Sequence, residues 1–488
     1  MIFLNSKTHW LSEQTSRQPD KTAFITSERT VSYREFYMEC SAATDFLFDL
    51  GIRNTEKVGL LYGHNYNFFA VVNALWFIGA VPVPLNTRLL TEELKKQIDL
   101  ADIKFLLIDA NLTEQFSHLN FENKIYFPSK SSRKTYDKNT QILNSTLLCD
   151  CLSGGEVLNC SLIMFTSGST GNSKAVVHTF ESLFESVKAL DSCFGLSNED
   201  VWLASLPLYH IGGFMIPVRA LIAGSAVAFP DSPSHEDIKS GIKKFIPSHI
   251  SLVPTTLFRL LNENVSPDAN LKYAFLGGGP SDKKLISDAV SMNWPIIKVY
   301  GSTETCSMIT ALLPGESKEK LDSSGKVLSD VKITVQETDE ILVASKTLFK
   351  EYYNDPLSTR SVFKDGWYRT GDIGRIDTDG YLFLDSRRED VIISGGENVS
   401  SGEVENVLKS HPSISDAFVF SLDDKTWGQI VCSVLVTDNF NEAEISDFLR
   451  TKLAGYKIPK RFFLLKKIPR NELGKVSRQT ILKELSLD

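Results

Sequence analysis

Segment 161–178 carries the richest chemistry in the chain. A buried strand at 161–165 runs into Thr166, Ser167, Gly168, Ser169, Thr170 and Gly171, and the run closes on Lys174. Glycines let an anion approach the backbone, hydroxyls and N–H groups donate to phosphate oxygens, and the lysine adds charge. The spacing is not that of a P-loop, whose lysine directly follows its last glycine. Taken alone, the run also reads as a plain flexible turn. A second run follows the strand-like stretch 296–299: Tyr300, Gly301, Ser302, Thr303 and Glu304. It stands at the carboxyl end of a strand, where open α/β sheets bind ligands. Thr303 can hydrogen-bond a phosphate, Glu304 is a hard oxygen ligand suited to Mg²⁺, and Tyr300 offers a flat face to a base ring. Upstream, Gly277, Gly278, Gly279 and Pro280 end another strand; these bare backbones suit an adenine or a tight turn.

Further along, Asp372 in Thr370-Gly371-Asp372 is placed to accept two ribose hydroxyls, and Arg387 to donate to the same sugar or to phosphate. Lys475 closes the run 468–475 on a glycine turn. Arg219 lies in an apolar, helix-like stretch at 214–222, where an unpaired charge costs several kcal/mol. Its partner is an acidic side chain or an anionic ligand. His210, in Leu206-Pro-Leu-Tyr-His210-Ile-Gly-Gly213, reads as a pocket-lining residue or a satisfied core histidine.

Positioning these residues requires strands that end in loops. Short apolar runs at 57–62, 104–108, 161–165, 225–229, 249–253, 273–276 and 296–299 alternate with amphipathic stretches such as 181–194 and 283–292. That alternation predicts parallel α/β sheets with helices on their faces. After about residue 330 the runs become short strands with Gly/Asp turns, followed by an α+β module of domain size. The expected organisation is an N-terminal domain over 1–386 and a C-terminal domain over 387–488. Phe68 to Leu85 is almost wholly apolar, but Asn73, Gly79, Pro82 and Pro84 interrupt it, which favours a buried helix and then a strand over a membrane span.

The chain has 488 residues, 42% hydrophobic and 23% charged, with a net charge of −8, which disfavours a nucleic-acid binder or a polybasic membrane anchor. Charge is uneven: residues 451–488 carry +7 and the rest −15. The basic tail is a solvated face or a lid that brings positive charge to a polyanion. Seven scattered cysteines and the absence of a secretory pattern point to a reducing, cytoplasmic setting; the lone pair Cys149 and Cys151 lacks the second half of a zinc site.

Together, T-S-G-S-T-G-x-x-K, Y-G-x-T-E, T-G-D and P-R-x-x-x-G-K, in this order, resemble the adenylate-forming superfamily of acyl-CoA synthetases, adenylation domains and luciferases. The likeness covers essentially the whole chain. With Leu206–Gly213, Tyr300–Ser307, Ile393–Asn398 and Gly455–Pro459, it is most similar to o-succinylbenzoate–CoA ligases of menaquinone biosynthesis.

The resemblance implies a large domain of stacked α/β sheets with a small β-barrel-like part, then a small mobile α+β lid. It implies ATP, Mg²⁺ and coenzyme A as cosubstrates and a carboxylic acid as partner, with homo-oligomer formation left open. Lys475, Glu304 and His210 would be catalytic, with Glu304 also on the metal. Thr166, Ser167, Gly168, Ser169, Thr170, Lys174, Gly278, Gly279, Pro280, Tyr300, Gly301, Thr303, Asp372 and Arg387 would hold the nucleotide. His210, Arg219, Gly277 and Ser302 would face the acyl group, and Gly395 and Gly396 would serve the thioester step.

One departure is Glu389 at the hinge position, where the superfamily usually has Asp or Lys; a hinge tolerates varied residues if its backbone can swing. Other aromatic or medium-chain acyl-CoA ligases, a carrier-loading adenylation enzyme and a non-enzymatic nucleotide binder are the alternatives. Lys475→Ala is expected to abolish acyl-adenylate formation, read as ATP–pyrophosphate exchange, while sparing thioester formation from supplied acyl-adenylate. Equal loss of both would overturn the two-stage lid.

Overall fold

In a computed structural model, the structure describes residues 9–127, 160–166, 173–279, 281, 283–316, 318–386, 391–469, 476 and 478–487. The apolar run at 68–85 resolves as the sequence suggests. Asn65 caps the helix Tyr66–Ile78 by accepting from the Asn67 N–H, and Gly79 ends it in the left-handed conformation at φ 82°. Every residue of that helix except Asn67 is buried. The strand Val81–Pro84 follows, at one edge of a parallel four-stranded sheet with Lys57–Leu61, Phe105–Asp109 and Lys124–Phe127. Val81 and Leu85 donate to the carbonyls of Glu56 and Leu60, so Pro82 and Pro84 take alternate positions, where a missing N–H costs no ladder bond. Among the described residues, no helix is long and apolar enough to cross a membrane.

The larger sheet has nine strands. Its centre is parallel, in the order Ile296–Ser302, Tyr273–Leu276, His249–Leu252, Val201–Leu203, Ala226–Ala228 and Thr22–Ile25. The strand Ser307–Leu312 returns antiparallel beside Ile296–Ser302. One continuous core, with Phe69, Trp76, Trp202 and Phe214, joins this sheet to the helices Tyr33–Asp49, Tyr66–Ile78, Phe180–Phe194 and Ile211–Ala223. The β-rich part is an antiparallel sheet of Val331–Val335, Glu340–Ser345, Trp367–Ile376, Phe363–Lys364 and Leu382–Ser386. The chain is thus α/β, with a large N-terminal part and a small C-terminal module.

That module has five strands, Glu397–Ser400, Val391–Ser394, Gly428–Thr437, Ile414–Asp424 and Arg461–Leu464. It packs its own core around Val404, Leu408, Val419, Leu435 and Leu449. Its docking uses buried charge. Lys457 is 6% exposed, and its Nζ donates to Glu93 Oε1 at 2.5 Å on the N-terminal part and to Glu403 Oε1 at 2.8 Å on its own module. Burial pulls the Lys457 ammonium down, but the two carboxylates outweigh it and the net shift is upward. Its contribution is therefore intact below the ordinary lysine value of 10.5 and is lost only as pH rises through the raised value.

Glu93 Oε2 also accepts from the Leu90 N–H at the start of the helix Thr91–Leu100, a task glutamine can share. Because Lys457 keeps Glu403, Glu93→Gln is expected to weaken docking by roughly 1.5–3 kcal/mol, the scale of a hydrogen bond to a charged group. Small-angle scattering of the full chain would read this as a changed profile; an unchanged one would mean the pair does not hold the module.

Candidate active site

Three parallel strands of the large sheet end side by side, at Leu252, Leu276 and Ser302. Beyond their carboxyl ends lies a cavity of about 290 Å³. Twelve of the residues singled out by sequence line it: Thr166, Lys174, His210, Arg219, Gly277, Gly278, Gly301, Ser302, Thr303, Glu304, Asp372 and Gly396. Gly279, Tyr300 and Gly395 are not among its lining residues. Ser167, Gly168, Ser169, Thr170, Pro280, Arg387, Glu389 and Lys475 lie outside the described residues, as do Cys149 and Cys151.

The hydroxyl–glycine run connects two antiparallel strands, Leu162–Thr166 and Lys174–His178, with Thr166 directly opposite Lys174. The ammonium of Lys174 therefore stands at the root of the loop, 4.4 Å from the centre of the Tyr352 ring. His178 secures the neighbouring turn, its Nε2 2.9 Å from the Thr303 carbonyl. Burial pulls the His178 imidazole down to about 4, so it is neutral there at physiological pH.

Both carboxylates on the cavity wall are engaged by phenols. Tyr352 donates to Glu304 Oε1 at 3.1 Å, and Tyr300 donates to Asp372 Oδ2 at 2.7 Å. The Asp372 backbone N–H donates to Thr370 Oγ1, fixing that turn. Gly277 and Gly278 serve both readings of the triple glycine. Gly278 has φ 75°, and a Cβ on Gly277 would lie 2.7 Å from a Val299 methyl, so the turn needs bare backbones while it lines the cavity.

Arg219, on the helix Ile211–Ala223, is 1% exposed and lines the same cavity. Among the described residues no carboxylate pairs with it. Nη2 donates to Ser307 Oγ at 2.9 Å and the guanidinium lies 5.8 Å from the Trp202 ring centre, while Nε and Nη1 have no hydrogen-bond partner among the described residues. Burial pulls its pKa down to about 10, which leaves it cationic at neutral pH.

His210 precedes that helix and places Nε2 3.0 Å from Glu397 Oε2. Glu397 belongs to the C-terminal module, and Arg88 Nη1 donates to its Oε1 at 2.9 Å. Burial pushes the Glu397 carboxyl up, but His210 and Arg88 outweigh it and the net shift is downward. The adjoining turn, Gly395-Gly396, has φ 61° and 86°; Gly396 faces Val253 and Gly395 faces Trp427. Lys460 and Arg259 both lie over the Trp427 ring.

Sequence reading missed Arg88, Tyr352, Ser251 and Ser307. Ser251 lines the cavity with its buried hydroxyl unpartnered. A polar residue within the apolar strand-like stretch 249–253 was the available signal. Arg88 and Tyr352 have no local signal, because distant elements give them their partners.

The family model described as AMP-binding enzyme matches residues 11–353, and that described as AMP-binding enzyme C-terminal domain matches 403–475. The 2-succinylbenzoate–CoA ligase of Bacillus licheniformis is 33% identical over 98% of this chain and 100% of its own. A double mutant of o-succinylbenzoate CoA synthetase from Bacillus subtilis, bound with its product analogue OSB-NCoA, superposes with a TM-score of 0.87 at 30% identity, covering 97% of this chain and 98% of that one. The same enzyme in complex with ATP and magnesium ion gives a TM-score of 0.70 at 30% identity, covering 96% and 98%. A cavity at the carboxyl ends of parallel strands, matches at both ends of the chain and these full-length likenesses agree: the chain belongs to the family of AMP-binding enzymes.

Proposed function

We propose that this chain is an ATP-dependent acid–CoA ligase acting on o-succinylbenzoate, as a step toward menaquinone. The observation that carries the reading is Arg219, a buried residue on the wall of the cavity that also holds Glu304 and Asp372, with two guanidinium nitrogens unpartnered among the described residues. Such a group needs an anion, and a dicarboxylic acid supplies one beyond the carboxylate that reacts.

A carboxylate is a poor acyl donor because oxide leaves badly. In the first stage the acid's carboxylate attacks the α-phosphorus of ATP in line and pyrophosphate departs. Charge gathers on phosphate oxygens, so positioning and charge stabilisation dominate. Thr166 and Lys174, with Ser167 and Thr170, serve the β- and γ-phosphates, Asp372 accepts from the ribose, and Lys475 serves the α-phosphate. Glu304, a carboxylate on the cavity wall, suits magnesium, an ion that commonly takes one or two carboxylates plus phosphates and water. Bound there, the ion would neutralise phosphate charge.

In the second stage the CoA sulfur attacks the acyl carbon, a C–S bond forms, and the C–O bond to AMP breaks. We place the domain boundary between 386 and 387, with the C-terminal module turning about Glu389 so that Lys475 withdraws and Gly395-Gly396 approaches. Two observations support this. Gly396 lines the cavity, and the likeness is greater to the product-analogue complex (0.87) than to the ATP–magnesium complex (0.70) of one relative at equal identity.

The test is an ATP- and CoA-dependent screen of o-succinylbenzoate against benzoates and fatty acids, run with Arg219→Ala beside the parent chain. We expect the parent to prefer o-succinylbenzoate, and the variant to lose roughly 30-fold or more in kcat/KM for it, the scale for truncating one partner of a buried charged contact. Benzoate turnover should hold. An undiminished preference in the variant would remove Arg219 from recognition.

A further inference from the structure

The turn between the strands Ile296–Ser302 and Ser307–Leu312 ends on two consecutive non-glycine residues in the left-handed region, Cys306 at φ 56° and Ser307 at φ 83°. Each such residue costs of the order of 1–2 kcal/mol, and the surroundings must hold it. They do. Thr305 Oγ1 donates to the Ser307 carbonyl at 2.8 Å and accepts from the Ser302 N–H at 2.8 Å. Ser186 donates to the Cys306 carbonyl at 2.8 Å. Gly301, paired with Met308, lies close by: a Cβ there would stand 1.8 Å from the Ser307 carbonyl oxygen, so only a bare backbone fits. The backbone thus fixes the direction of one hydroxyl, and that hydroxyl meets Arg219.

We propose that Ser307 is a positioning residue that sets the acid preference by orienting Arg219. The inference rests on the reading that Arg219 receives the acid's second carboxylate. An oxygen of either charge could hold Nη2. A carboxylate there would neutralise the guanidinium and compete with the substrate, whereas a hydroxyl accepts one hydrogen bond and leaves the positive charge uncancelled. The Trp202 face, 5.8 Å away, is likewise attractive without carrying a formal charge. Nε and Nη1 keep no hydrogen-bond partner among the described residues.

Two variants of the full chain separate this role from a structural one. Ser307→Gly keeps the left-handed backbone and removes the hydroxyl. It should raise KM for o-succinylbenzoate roughly tenfold, about 1.4 kcal/mol, with kcat, KM for ATP and all benzoate parameters within about twofold of the parent. Ser307→Asp also tolerates positive φ and adds an internal counter-charge. It should raise the o-succinylbenzoate KM further while benzoate is spared. Unchanged o-succinylbenzoate KM in either folded variant overturns the proposal, and so does an equal loss for benzoate or ATP. Arg219→Ala, measured alongside, separates the two readings. If it abolishes the dicarboxylate preference and the Ser307 variants do not, only the positioning role fails; if it leaves the preference intact, the recognition reading fails with it.

Discussion

A guanidinium buried with no carboxylate beside it is the costliest feature of the site, and much of the local structure follows from it. Desolvation of Arg219 is offset by a neutral hydroxyl and an aromatic face rather than by a counter-ion. The two carboxylates on the same cavity wall take their hydrogen bonds from Tyr352 and Tyr300. Opposite charges therefore share one cavity without cancelling, which leaves positive potential for an acid and carboxylates for metal and sugar. In a partly dry cavity each of these charges acts more strongly than it would in water.

The second constraint is that one carboxylate serves two modules. Glu397 sits on the C-terminal module, and Arg88 and His210 reach it from the N-terminal part. Any arrangement that withdraws the strand Glu397–Ser400 leaves both without that partner, so docking alters the donors available around the acyl pocket. Lys457, between Glu93 and Glu403, ties the same docking to a second buried charge, next to Tyr456, over whose ring Arg88 lies. Loss of Glu397 takes the shared partner from Arg88 and His210, and loss of Glu93 leaves Lys457 paired only within its own module, which makes docking depend on register and not on apolar area alone.

Legibility in the sequence divided along the same line. Strand-to-loop transitions were readable because glycines, hydroxyls and the apolar run before them are adjacent in the chain; Gly277–Gly278, Gly301–Glu304 and Asp372 all reached the cavity. The buried helix Tyr66–Ile78 and its exit at Gly79 were readable for the same reason. Lys174 was read as the close of a loop but begins a strand, since the pairing of Thr166 with Lys174 depends on registry that no local pattern displays. Glu93 and Arg88 look like ordinary surface residues of a helix start and a loop. Their partners lie more than 300 positions away, at Lys457 and Glu397, and only the folded arrangement pairs them. The sequence could say that Arg219 needed a partner, but not that its only side-chain hydrogen bond among the described residues is to Ser307.

The turn Gly395-Gly396 connects these constraints. Both residues have positive φ, and their lack of side chains is also what permits contact. A Cβ on Gly395 would lie 2.8 Å from Trp427, and one on Gly396 3.4 Å from Val253 at the end of a central strand. The tip therefore reaches the cavity as bare backbone, and Glu397, the next residue, meets His210 and Arg88. Because a rigid two-residue turn joins the closing surface to the bridging carboxylate, closure of the cavity and pairing of Glu397 cannot be separated. A module that docked without pairing Glu397 would bury its charge unpaired, and one that paired Glu397 without docking would have to unfold the hairpin that carries it.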